Sequence, residues 1–266
     1  MRFPQISLTR HALALGLFVA GLAPLAGCNL QLSTDVEAKD EWTRSYQLTP
    51  DGAVTLKNGN GKIEVIGGDG SSVNIVAERI VKASTEAAAK EQLTLLEMKE
   101  DVANDRVSID SSTRGLTINV SRRINYKVTM PKGASLTLVS SNGDILVTNV
   151  AGKFSAEASN GRIIASGLQG GTKVTTTNGV IELTFDKVGD GGITAETTNG
   201  TITVAMPKTT NADLSARITN GAISNDGLDL KVSEQSRRRL DGTLGAGGPA
   251  IKLEATNGAI TIRGKD

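Results

Sequence analysis

The chain of 266 residues contains one histidine, His11, and one cysteine, Cys28, and both precede everything that reads as a folded domain. That domain therefore has no Ser-His-Asp triad, no Cys-His nucleophile and no zinc site built from His or Cys. Aromatics are nearly as scarce: beyond Phe3 and Phe18 only Trp42, Tyr46, Tyr126, Phe154 and Phe185 remain. Charge of one sign is missing too, with 29 Lys and Arg against 28 Asp and Glu, and 27 against 28 once Arg2 and Arg10 are set aside. A nucleic-acid binder carries a basic excess, and this chain does not. The longest apolar run, Ala12 to Gly27, falls short of the ~20 residues a membrane-spanning helix needs.

That run follows Arg2 and Arg10 and reads as the apolar core of an export signal over residues 1–27. It ends in Leu25-Ala26-Gly27-Cys28, which resembles the lipobox of bacterial lipoproteins. The resemblance implies cleavage before Cys28 and acyl chains, palmitate among them, on the new N-terminal cysteine. Several chains anchor firmly because each buried methylene adds about 0.8 kcal/mol. Asn29, in place of Asp, points by the same analogy to the outer membrane, with surface and periplasmic faces both open. Residues 28–43 are polar and mixed in charge, and read as a tether.

What the chain has in abundance is a repeat. Asn-Gly recurs at Asn142, Asn160, Asn178, Asn199, Asn220 and Asn257, with spacings of 18, 18, 21, 21 and 37. Each copy has Ser or Thr just before it (Ser141, Ser159, Thr177, Thr198, Thr219, Thr256). Each also has Ile two residues after the Gly (Ile145, Ile163, Ile181, Ile202, Ile223, Ile260). An earlier copy at Asn60 keeps the isoleucine, Ile63, but has Gly59 in place of the hydroxyl residue. The flanks alternate with period two, as strands do: Phe154, Ala156 and Ala158 point one way, Ser155, Glu157 and Ser159 the other.

Asn-Gly is the turn of a type I′ hairpin, which would pair the two strands of one copy. The steady 18-residue period favours a second arrangement, in which equivalent strands of successive copies stack. The expected fold is all-β: a single-stranded parallel β-solenoid or β-roll over residues 135–266, with Asn-Gly corners. Small inward residues such as Ala156, Ala195 and Ala255 suit a narrow interior, and stacked asparagines form a ladder along one edge. Residues 44–134 are less regular, with strands at Val54–Leu56, Ile63–Ile66, Val73–Ala77, Val107–Ile109 and Tyr126–Met130. They hold one helix, from Ser84 to Gln92 with Ser84 or Thr85 as cap, and form an N-terminal mixed capping region. The final rung runs through Ile262 to a chain end with no cap of its own, covered by the insertion Leu228–Gly248 or left as an open edge for a partner.

Repeated Ser/Thr-Asn-Gly-x-Ile rungs after a mixed segment resemble the bacterial family known as putative adhesins, over about residues 46–264. The resemblance implies a β-strand-repeat domain of the cell envelope, linked with adhesion or envelope stress, and carries over no catalytic residue. Three readings of the residues bear on chemistry. A row three positions before each Asn holds Glu157, Thr175, Glu196, Arg217 and Glu254; Glu157 and Glu196, two rungs apart, approach the spacing of an inverting glycosidase pair. The plainer reading is a solvated face on which Glu196 pairs with Arg217. Arg237, Arg238 and Arg239 make an exposed basic loop that suits an anionic partner or is simply solvated. Gly242–Gly248 lacks the Lys-Ser/Thr of a phosphate loop, and the Gly-Asp-Gly clusters at 67–70 and 189–192 do not recur in register as calcium repeats do. No cofactor, metal or nucleic acid is expected. The chain reads as a lipid-anchored envelope module that binds or scaffolds without catalysis, its partners the membrane and an envelope protein or surface polysaccharide. A periplasm-facing role in stress signalling or assembly is the alternative, and a polysaccharide-active enzyme the third.

Overall fold

The computed structural model describes residues 36–112 and 119–266. The expected signal peptide, Cys28 and the expected tether as far as residue 35 lie outside the described residues. Among the described residues the chain is all-β with one helix. In chain order the first elements are β1 (Val36–Gln47), β2 (Ala53–Asn60), β3 (Ile63–Gly68), β4 (Ser72–Ala83), α1 (Glu86–Thr94), β5 (Lys99–Ala103), β6 (Arg106–Asp110) and β7 (Ser121–Pro131). The repeats follow as β8 (Ser135–Asn142), β9 (Ile145–Thr148), β10 (Phe154–Asn160), β11 (Ile163–Leu168), β12 (Thr172–Asn178), β13 (Ile181–Phe185) and β14 (Ile193–Pro207). The last are β15 (Ala212–Asp226), β16 (Leu230–Ser236), β17 (Arg239–Leu244) and β18 (Ala250–Lys265).

Equivalent strands of different copies pair in parallel and in register. Ahead of the Asn-Gly step, β2, β8, β10, β12 and the first halves of β14, β18 and β15 make one ladder. Beyond it, β3, β9, β11, β13 and the second halves of β14, β18 and β15 make another. Among the described strands the two halves of one copy never pair with each other, and β14, β15 and β18 run unbroken across their Asn-Gly. Period-two alternation explains the interior. Phe154, Ala156 and Ala158 of the first ladder and the isoleucine file Ile63, Ile145, Ile163, Ile181, Ile202 and Ile260 of the second are buried in one continuous core. Phe154 and Phe185 belong to that core and offer no platform to a ligand.

Glycine is obligatory after each asparagine. Gly161 sits at φ +136°, and a Cβ there would run into the carbonyl oxygen of Gly143 on the neighbouring rung. The glycines thus form a file of their own, each packed backbone to backbone on the previous one.

Helix α1 starts from Thr85, whose hydroxyl accepts from the Ala88 N–H at 3.2 Å, and so the cap is Thr85 rather than Ser84. Its Ala89 and Leu93 pack with Ala38, Val81 and Ala83 in a second, smaller core. Three expectations need correction. The tether ends sooner than residue 43, because β1 already pairs with β4 from Val36↔Ala83 onward. The ladder begins earlier than residue 135, since Asn60 lies in register with Asn142 and β2–β3 is a full rung. The last copy in sequence is not the last in space: β18 lies between β14 and β15. The insertion explains this. It folds into the hairpin β16–β17, and β17 pairs antiparallel with the outer edge of β15, from Ala212↔Leu244 to Arg217↔Arg239. Only the inner side of β15 is then left along its whole length for β18.

Candidate binding face

The Asn-Gly step gathers three outward-facing files, two of them exposed and the third partly so. Asn142 donates its amide to the Asn60 side-chain oxygen at 2.8 Å, Asn160 to Asn142 at 2.9 Å, and Asn178 to Asn160 at 2.9 Å. The series continues from Asn199 to Asn178 at 2.9 Å, Asn257 to Asn199 at 2.8 Å and Asn220 to Asn257 at 2.9 Å. Seven asparagines are therefore joined by six hydrogen bonds that all run one way along the ladder, in the spatial order 60, 142, 160, 178, 199, 257, 220. Beside them runs the hydroxyl file Ser141, Ser159, Thr177, Thr198, Thr256 and Thr219, all exposed. Parallel strands set the pitch of both files at about 4.8 Å.

The third file, three positions before each asparagine, carries the charge. Its order in space is Glu157, Thr175, Glu196, Glu254, Arg217. The expected Glu196–Arg217 neighbours are therefore separated by Glu254, and two carboxylates stand side by side. Sequence order concealed this, because it puts the 257 copy after the 220 copy; the odd spacing of 37 was the available signal. Glu157 and Glu196 flank Thr175, and both point out from the same layer.

Toward the β15 end the surface becomes a shallow groove of about 540 Å³, lined by Thr175, Glu196, Glu254, Arg217, Thr219, Thr256 and the β16–β17 turn. The arginine triplet is not one loop. Arg237 and Arg238 form the hairpin turn, and Arg238 lines the groove. Arg239 lies in β17, held by Asp241 at 2.6 Å and Glu234 at 2.8 Å. Asp241 also faces Arg217 at 3.6 Å. Burial alone would raise the Asp241 carboxyl; hydrogen bonds from Ser215 and Arg239 and the nearby arginine charges outweigh it and hold the group below the usual range. Among the described residues Glu196, Glu254, Arg237 and Arg238 make no ion pair, which leaves their charges for solvent or a ligand. Gly245–Gly248 is a turn between β17 and β18, closed by the Gly247 N–H on the Leu244 carbonyl at 3.0 Å.

At the other end Asp144 and Arg162 stand in adjacent rungs, one position beyond the glycines, with nitrogen and oxygen 2.6 Å apart. The Arg162 hydrogen bonds and charge pull the Asp144 carboxyl below its ordinary value.

The chain belongs to the family described as Toastrack DUF4097, which matches residues 33–263. No curated protein matches it. Among solved structures, a "putative cell adhesion protein" from Clostridium sporogenes is similar at 14% identity, over 86% of this chain and 100% of that one, with a TM-score of 0.44. A "putative adhesin" from Bacteroides fragilis is similar at 14% identity over 86% and 98%, TM-score 0.37. A "putative lipid binding protein" from Parabacteroides distasonis is similar at 14% over 84% and 96%, TM-score 0.30.

Proposed function

We propose that this chain is a lipid-anchored binding module of the bacterial envelope, a parallel β-solenoid that turns at its Asn-Gly corners and acts without catalysis. The observation that carries the reading is the pair of exposed hydroxyl and amide files, repeated at one pitch along the rod. Each hydroxyl offers a weak contact, and a partner that itself repeats, such as a surface polysaccharide, multiplies many of them into useful avidity. The acidic pair fits this better than it fits hydrolysis. Glu196 and Glu254 project in the same direction from one layer, whereas glycosidase carboxylates flank the scissile bond. Acyl chains on Cys28 hold the module at the membrane, with Asn29 favouring the outer one.

Two measurements test this. Removing three adjacent hydroxyls together (Ser159→Ala, Thr177→Ala, Thr198→Ala) reduces retention on immobilised envelope polysaccharide severalfold; unchanged retention rejects the binding face. Protease added to intact cells digests the wild type, while a Cys28→Ala variant is lost from the membrane fraction. Protection until lysis instead favours a periplasmic assembly role. The outer edge of β15 from Gly221 to Asp226, unpaired among the described residues, gives that second reading its own observation, since a partner strand can add to it.

A further inference from the structure

The terminal unit of the ladder hangs on a strand that arrives last. Among the described strands β15, β16 and β17 pair only with one another and with β18. Strand β18 pairs with β14 from Ile193↔Ile251 to Pro207↔Lys265, and with β15 from Asp213↔Ala250 to Asp226↔Arg263. It is therefore a keystone: take it out, and a slot one strand wide opens between two parallel edges.

The slot is selective. It buries Ile251, Leu253, Ala255, Ile260 and Ile262. It requires an amide at Asn257, which donates to Asn199 and accepts from Asn220. It also requires glycine next, because a Cβ on Gly258 would run into the Gly200 carbonyl. A segment that meets all three demands is a rung of this repeat with the flanks of β18, and a second copy of the chain supplies it.

The connection allows the exchange. Residues 245–249 read Gly-Ala-Gly-Gly-Pro, with Gly245, Gly247 and Gly248 at positive φ. Side chains hold this segment through the Ala246 N–H on Asn211 at 2.8 Å and the Gly248 N–H on Asp213 at 3.4 Å, both at the exposed surface. We propose that β18 is exchanged between two copies, each completing the other's ladder, so that a strand-exchanged dimer is populated as concentration rises. Contacts within the slot are the same in both forms. The balance is then set by association entropy and by the conformation of the glycine-rich hinge.

Thr203 and Thr261 lie opposite each other across β14 and β18, outward and partly exposed. Parallel neighbours at about 4.8 Å are within reach of a disulfide. In a Cys28→Ala background, separate Thr203→Cys and Thr261→Cys proteins are mixed, incubated over a concentration series, oxidised and run on non-reducing gels. The exchanged dimer gives a 203–261 heterodisulfide severalfold above random pairing of the two thiols, in a fraction that grows with concentration. The Thr203→Cys/Thr261→Cys double variant reports the closed monomer by an internal bond. An internal bond in the double variant, with only random pairing between the single variants, overturns the proposal. So does a double variant that forms no 203–261 bond at all, because β18 then does not occupy the slot.

Discussion

The two ends of the ladder are finished by different means. At the N-terminal end both layers continue: β6 and β5 extend the first, while β7, β4 and β1 extend the second, and α1 closes over Val81 and Ala83. At the other end only the first layer continues, through β17 and β16, and the second stops at β15. The consequences appear in side chains that occupy equivalent sites. The inward position filled by buried Val204 and Ile262 is an exposed Asn225 in the last rung, its amide turned back onto the Leu228 carbonyl at 2.9 Å. Val232 faces inward on β16 yet is 49% exposed, since no strand of the second layer lies opposite. One end is thus closed by burial and the other by polarity. Stacked-repeat proteins need polar end units, and free strand edges need charge to discourage further pairing; charged β1 and β5 serve that second need at the N-terminal end.

The largest effect expected from this contrast is at glycines. Gly61 in the first rung sits at φ +120°, and a Cβ would strike the Ile124 carbonyl, which belongs to backbone fixed on both sides. Gly227, after the last rung, has φ +77° but nothing nearer than 3.9 Å. Gly61→Ala should cost about 3–5 kcal/mol, through backbone displacement added to strain, and Gly227→Ala about 1 kcal/mol from strain alone. Urea unfolding of the two variants measures the difference. Equal losses would mean that the last rung is packed as tightly as the first.

Next comes the isoleucine file, where the same residue type stands at both ends. Ile63 is fully buried and Ile223 only partly so. Truncation to alanine removes transfer energy and leaves a cavity where neighbours cannot collapse, about 3–5 kcal/mol at Ile63. Ile223 already meets water, and its loss should come nearer 1–2 kcal/mol. If a second copy or a partner strand covers the last rung in solution, the Ile223→Ala cost rises toward that of Ile63 and becomes dependent on protein concentration.

How much the sequence disclosed follows the same division. Residues that repeat speak for themselves: Asn-Gly followed by Ile, with period-two flanks, predicts stacked strands and the amide ladder because identical contacts have to recur at identical spacing. Residues that do not repeat are ambiguous. Nothing local in Val36–Thr43 distinguishes a tether from an edge strand, since its charges are what an edge strand also needs. The exchange of order between the 220 and 257 copies depends on a hairpin formed by Leu230–Leu244, a long-range choice that no window of sequence contains. The candidate face was affected in the same way: the hydroxyl file was readable residue by residue, but Glu254 beside Glu196 and Arg238 over the groove depend on that order.

The smallest expected effect distinguishes the ends by charge. One position beyond the glycines, the early rungs carry Lys62, Asp144 and Arg162, whereas the late ones carry Thr201, Ala259 and Ala222. Hydrogen bonds from Arg162 hold the Asp144 carboxyl below its ordinary value in the folded chain. The folded form therefore binds that proton less readily than the unfolded form. The resulting stability is present above the unfolded carboxylate range and disappears as pH falls through the lowered folded value. Because the pair is largely solvated, screening limits it to less than about 1 kcal/mol. Asp144→Asn should then leave the chain slightly less stable at neutral pH and equal to the wild type in strong acid, so that the two stability curves converge as pH drops. High salt should narrow the neutral-pH gap. An asparagine oxygen can also accept from the Arg162 backbone N–H, 3.0 Å from the Asp144 carboxylate, so that bond survives the substitution. A gap that persists in acid would therefore show that the loss does not come from the charge of Asp144.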